Sequence, residues 1–164
     1  MTTQIPHTDV VVLGGGMVGA SLVHLLSPAL KQGMKVTLID RQPLNWDGDP
    51  GARPPSFDGR ATALSYGTQQ LLAALDIWPL VRERACAIEH IQVSDQGRFG
   101  QTHLHASEQN VDALGYIVEN AVIGYGLLKA IARHGVDVRA PASVADVSMN
   151  AGGALLSFDD GGQL

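Results

Sequence analysis

Gly14-Gly15-Gly16-Met17-Val18-Gly19 fits the spacing G-x-G-x-x-G. Glycines in that order suit a chain that turns tightly and then lets a large anion come close. The first makes the turn from strand to helix, the second has no side chain to hold a pyrophosphate away, and the third lets helix and strand pack closely. A helix starting at Met17 would aim unpaired N–H groups and a partial positive charge at the phosphates. Asp40 stands about 20 residues past the motif, where a carboxylate accepts hydrogen bonds from ribose hydroxyls. Gly14, Gly16, Met17, Val18, Gly19, Asp40 and the adjacent Arg41 are therefore candidate cofactor-binding residues. A strand-end surface acid is the plainer reading of Asp40. A carboxylate there disfavours the 2′-phosphate of NADP at this site, and it fits NAD and FAD alike, since both carry an adenosine ribose.

The elements needed to position these residues can be read on either side of them. Val10 to Leu13 is an unbroken apolar run, suited to a strand buried on both faces of a parallel sheet. Met17 to Leu26 reads as a helix, which Pro28 ends or kinks at Ser27. Lys35 to Asp40 reads as a second strand. Strand, glycine turn, helix and strand form a βαβ unit over residues 9–40, and such units are right-handed in nearly every case.

Arg41 to Phe57 is rich in Pro and Gly and reads as a long loop, of a length that is usually functional or disordered. Thr62 to Leu75 has a helical pattern. Ile88 to Ser94 reads as a strand, and Gln101 to His105 alternates as a half-buried strand does, with an Asp95-Gln96-Gly97 turn between them. Further strands are predicted at Tyr116–Val118, Asp137–Arg139, Ser143–Val147 and Leu155–Phe158, and a helix from Asn120 to His134. Asp159-Asp160-Gly161-Gly162 is a hairpin turn signal. The fold class expected is α/β, a Rossmann-like FAD/NAD(P)-binding domain with a central parallel sheet.

Composition narrows the function classes. The chain has 164 residues with 45% hydrophobic and 16% charged, an ordinary globular balance. Its net charge of −5 and the lack of any basic run argue against nucleic acid as a partner. The single cysteine, Cys86, excludes a disulfide framework within the chain, fits a reducing cytoplasm, and is expected to be packed and inert. Residues 1–9 do not form a signal peptide, and no apolar run approaches the ~20 residues of a transmembrane segment, although a membrane-surface role stays open. His103 and His105 alternate on a predicted strand, but no Cys or carboxylate completes a zinc set, so no metal site is expected. Tyr66, Tyr116 and Tyr125 are expected in the core, and His90 at the solvated surface.

Phe57-Asp58-Gly59-Arg60-Ala61-Thr62-Ala63-Leu64-Ser65 resembles the Asp-x-Arg-x-x-Ala-Leu segment of the FAD-dependent aromatic hydroxylases, the single-component class that uses FAD and NAD(P)H. Gly67-Thr68-Gln69-Gln70, Ile77-Trp78, Val93 to Gly97 and Leu114 to Asn120 extend the resemblance, in order, from about Val10 to Val147. Within the class the wording is closest to the 2-polyprenyl-6-methoxyphenol hydroxylase branch of ubiquinone biosynthesis.

The resemblance implies a flavoprotein oxidoreductase, a monooxygenase that hydroxylates a polyprenylated phenol with NAD(P)H as electron donor and O2 as co-substrate. It also implies a place at the inner-membrane surface and a complex with other ubiquinone-biosynthesis proteins. Arg60 is implied to lie near the flavin, where a permanently charged guanidinium can steady it; a surface ion pair is the alternative. Asn120 stands where relatives face the FAD with Arg or Gln, and helix N-capping explains it equally well. Val144 resembles the strand residue that meets the adenine, with sheet core an equal alternative. No catalytic acid or base is assignable. The family's later Asp-Gly and Gly-Asp segments are not among these residues, so the chain is expected to be an amino-terminal fragment. It would hold an incomplete FAD-binding domain over 1–164, with partial substrate-domain strands at about 88–118, and would be inactive alone. An FAD-dependent oxidase or dehydrogenase and a non-catalytic nucleotide-binding module are the other readings.

Overall fold

The computed structural model describes residues 5–44 and 59–164. Three parallel strands form its centre: β1 (Val10–Leu13) pairs with β2 (Val36–Ile39), and β2 also pairs with a strand reached much later, at Asp137–Arg139. All four residues of β2 are buried, as expected of a middle strand covered on both faces. Between β1 and β2 runs α1 (Met17–Leu25). The chain breaks at Leu26 and resumes as α2 (Ser27–Lys31), with Pro28 in its first turn, where the missing N–H costs nothing.

The helix predicted at Thr62–Leu75 divides in two. Ala61–Ser65 is a strand, β3, and only Tyr66–Ala74 is helical (α3). β3 pairs antiparallel with Gly115–Glu119, and Ser65 stops the strand by accepting the Thr68 N–H on its hydroxyl at 3.2 Å, an N-cap. After α4 (Trp78–Val81), the strand predicted at Ile88–Ser94 also divides. β4 (Cys86–Ile88) joins the sheet of β3, while β5 (His90–Ser94) pairs with β6 (Gln101–His105) in a separate hairpin. The half-burial predicted for β6 is not found: Gln101 to Leu104 are exposed, with neither face of the hairpin covered among the described residues. Cys86, expected to be packed, is exposed at the start of β4.

β7 (Gly115–Glu119) lies between β3 and β4 and leads into α5 (Asn120–Ile131). α5 ends three residues before the predicted His134; residues 132–135 form a turn. Apart from Lys129 and the partly covered Asn120, every residue of α5 is buried, the mark of a helix enclosed by its neighbours. Val23 from α1, Leu38 from β2, Ile77, Val81, and Val122, Leu127, Leu128 and Ile131 from α5 form the main core. Tyr125 is buried, Tyr116 half-buried, and Tyr66 exposed at the first turn of α3, contrary to its expected core place.

β8 (Asp137–Arg139) completes the parallel sheet. β9 (Val144–Asn150) and β10 (Gly153–Phe158) form an antiparallel pair, and Leu156, Phe158 and Leu164 make a second, smaller core with Ile39, against which Val144 packs. After the Asp159–Gly162 turn, Leu156 and Leu164 exchange backbone hydrogen bonds of 2.9 and 3.0 Å, continuing the predicted hairpin. Most of the predicted Arg41–Phe57 loop, with Phe57 and Asp58 of the family-like segment, lies outside the described residues.

Candidate cofactor site

The carboxyl ends of β1 and β2 open on a cleft of about 510 Å³ lined by Leu13, Gly14, Asp40, Arg41, Val144 and Asp146, among others. A parallel sheet leaves such a crevice where its strands end, and ligands of α/β folds bind there.

The glycines of the turn do different work. Gly14 has φ +102°, a conformation that L side chains rarely adopt, so it makes the turn out of β1. A Cβ on Gly19 would lie 1.9 Å from the Gly14 carbonyl oxygen, so Gly19 permits the close packing of α1 on β1. A Cβ on Gly16 would meet nothing within 4 Å. Among the described residues there is therefore room for a side chain at 16. Gly16 is also the N-cap of α1, and no acid lies in the helix's first turn. Among the described residues no side chain caps this amide end, which includes Met17 and the exposed Val18.

Asp40 follows β2 directly. One carboxylate oxygen accepts the Gly15 N–H at 2.6 Å and the other accepts the Gln42 N–H at 2.7 Å. Each oxygen keeps a further lone pair, so the group can still receive hydroxyl donors. Arg41 lines this cleft and a smaller one of about 230 Å³ beside Ser143, Asp159 and Asp160. Val144 lines the cleft and packs against the second core. Asp146, on the same strand and not anticipated, also lines the cleft; the pairing of β9 with β10 shifts register between Val144 and Asp146, so strand alternation alone would not have placed it there.

Arg60 and Asn120 come together elsewhere. The Asn120 N–H donates to the Arg60 carbonyl at 2.8 Å, and the Asn120 side-chain oxygen accepts the Thr62 hydroxyl at 2.6 Å. The cap position of α5 is taken by Glu119, so capping does not account for Asn120. Neither residue lines the cleft at β1 and β2.

A histidine pair, of which one member is buried, joins the helices that start at the two places. His24, on α1, is fully buried; its Nε2 lies 2.8 Å from the Leu127 carbonyl of α5 and its Nδ1 3.1 Å from His134 Nε2. A carbonyl only accepts, so neutral His24 carries its proton on Nε2 and accepts the His134 N–H on Nδ1. Burial pushes the His24 imidazole below its ordinary range, partly offset by the Leu127 bond and reinforced by His134. His134 is lowered by burial and by the charges of Lys31 and Arg133. On the outer hairpin, His90 and His105 bring their Nδ1 atoms to 2.7 Å, yet among the described residues no group of three or more His, Cys, Asp or Glu is arranged to hold a metal.

Comparison with solved structures defines the class: the chain has the fold of the FAD-binding monooxygenases. PqsL of Pseudomonas aeruginosa, a probable FAD-dependent monooxygenase, superposes with a TM-score of 0.66 at 20% identity, over 97% of this chain and 40% of that one. CtdE, solved in complex with FAD, superposes with a TM-score of 0.63 at 17% identity, over 97% and 36%. By sequence the chain is a homologue of the ubiquinone-biosynthesis hydroxylases. It is 29% identical to the ubiquinone hydroxylase UbiL of Rhodospirillum rubrum over 156 residues, 93% of this chain and 34% of the relative. It is 30% identical to the 3-demethoxyubiquinol 3-hydroxylase of Escherichia coli over 148 residues, 88% and 35%. The chain thus spans about a third of the length of these relatives. No protein-family model matches it.

Proposed function

We infer that the whole protein is an FAD-dependent monooxygenase that hydroxylates a polyprenylated phenol in ubiquinone biosynthesis, and that this chain supplies the part that grips the adenosine and pyrophosphate of FAD. The observation that carries the reading is the meeting of Gly14, Asp40 and Arg41 in one cleft, with the glycine turn leading from it into the amino-terminal end of α1. Homology to the ubiquinone hydroxylases supports the substrate class.

The donor set suits FAD. Gly16 leaves space against the backbone for the pyrophosphate, and Met17, Val18 and Gly19 offer their amides to it. Asp40 receives the adenosine ribose hydroxyls, with Arg41 beside it, and Val144 borders the adenine. Arg60 and Asn120 face the flavin end, and the strands from about 88 to 118 begin the substrate-side region. FAD bound here would supply the redox chemistry, taking electrons from NAD(P)H and activating O2 to place one oxygen atom on the ring. The chain's part is to bind and orient the cofactor.

Association with other ubiquinone-biosynthesis proteins at the inner-membrane surface, from the cytoplasmic side, goes with this function. Among the described residues no helix is long and apolar enough to cross a membrane. Calorimetric titration of the protein with FAD, followed by an ¹⁸O₂ assay of the full-length protein with a prenylated phenol and NAD(P)H, tests the reading. Saturable FAD binding and one ¹⁸O atom in the phenolic product are expected. Heat from NADP⁺ but none from FAD, or unlabelled phenol, would sink it.

A further inference from the structure

The second residue of the glycine motif is itself a glycine for a reason the motif does not require. Gly15 is buried and does not have a positive φ, so its backbone would accept a side chain. Space is what forbids one: a Cβ there would lie 2.6 and 2.9 Å from the two Leu44 Cδ atoms and 3.4 Å from Asp40 Oδ2. Leu44 is only 8% exposed and belongs to the main core, so its side chain is not free to swing aside. On its other contact the turn is held by charge: the Gly15 N–H donates to Asp40 Oδ2 at 2.6 Å, and Asp40 is fixed in turn by the Gln42 N–H. Both contacts come from the five residues Asp40 to Leu44 that leave β2. Gly16, the next residue, faces open space.

We propose that Asp40 and Leu44 are positioning residues that brace the glycine turn from behind. Asp40 holds the Gly15 amide, and Leu44 fills the volume that a side chain at position 15 would take, so the segment after β2 sets the shape of the surface offered to a pyrophosphate. The effect on binding rests on the FAD reading above. The brace itself belongs to the chain without nucleotide. Asp40 thereby has a task in addition to any contact with ribose, and the turn is shaped before the ligand arrives, which lowers the ordering cost of binding.

A size-swap cycle tests the steric half. Gly15→Ala is expected to weaken FAD binding about tenfold and to lower the thermal midpoint without nucleotide, by crowding a packed site. Adding Leu44→Ala should recover most of both losses, because it vacates the crowded volume. Amide hydrogen exchange tests the polar half. Exchange at Gly15 should accelerate about tenfold in Asp40→Ala and stay near wild type in Asp40→Asn, whose carboxamide oxygen still accepts. Additive losses in the cycle, or unchanged Gly15 exchange in Asp40→Ala, overturn the brace. Should Leu44→Ala not fold, the exchange experiment decides alone. Wild-type protein that fails to bind FAD would count against the functional reading, while the midpoints and exchange rates still test the brace.

Discussion

The cleft at β1 and β2 and the junction of Arg60 with Asn120 were both marked by sequence as cofactor-facing, yet they are built differently. In the first, a conformational glycine, a packing glycine, an open glycine and a carboxylate held by two backbone amides meet within one βαβ unit. In the second, the contacts include a strand-to-helix hydrogen bond and a Thr62–Asn120 bond at the start of α5. The first region is shaped by its own short-range contacts. The second is organised around the entry to α5. His24 physically joins them, because it ties α1, which begins at the cleft, to α5, which begins at Asn120.

That contrast orders the expected effects of substitution. Gly16→Val places a branched side chain in the open space at the start of α1 and should reduce FAD affinity about a hundredfold, read by flavin fluorescence titration, while the thermal midpoint changes little. Asp40→Ala removes a charged acceptor from the cleft and should cost about tenfold in FAD affinity by the same titration. Asn120→Ala should act mainly on folding. Loss of the Thr62 bond lowers stability by about 1 kcal/mol in urea denaturation, with a smaller change in FAD affinity than Asp40→Ala. A larger effect on binding at Asn120 than at Asp40 would break the contrast between the regions.

The link between the two regions has its own signature. The folded-state pKa of His24 lies below its ordinary 6.5, so the folded chain binds fewer protons than the unfolded one just below that pH. The stability carried by neutral His24 is therefore fully present above about pH 6.5 and is lost as pH falls from there through the folded-state value. His134 shifts in the same direction and adds to the slope. Urea denaturation between pH 7 and pH 5 should show this decline, and His24→Gln should flatten it. An unchanged slope in that variant would place the proton uptake elsewhere.

Local order explains what could be read in advance. β1, α1 and β2 were legible because apolar runs, the glycine spacing and Pro28 act within a few residues of one another. The strand at Ala61–Ser65 was not, because its partner β7 lies fifty or more residues away, and Leu64 and Leu71 suit a helix as well as they suit the mixed element that forms. Leu44 carried no signal: a leucine after Pro43 in a polar loop says nothing of the glycine it covers. The His24–His134 pair spans 110 residues and appears only when α5 packs on α1. The exposure of Cys86 and β6 depends on which elements lie beside them, which composition does not specify.

On the proposed function, the cleft at the ends of β1 and β2 receives FAD through the open side of the glycine turn. Parallel FAD titrations of wild type and Gly16→Val, each with its thermal midpoint, test it most directly. Saturable binding by wild type, its loss in the variant and matched midpoints are the predicted result. Equal FAD affinity in two equally stable proteins would contradict the account, because a side chain would then occupy the space assigned to the pyrophosphate without displacing it.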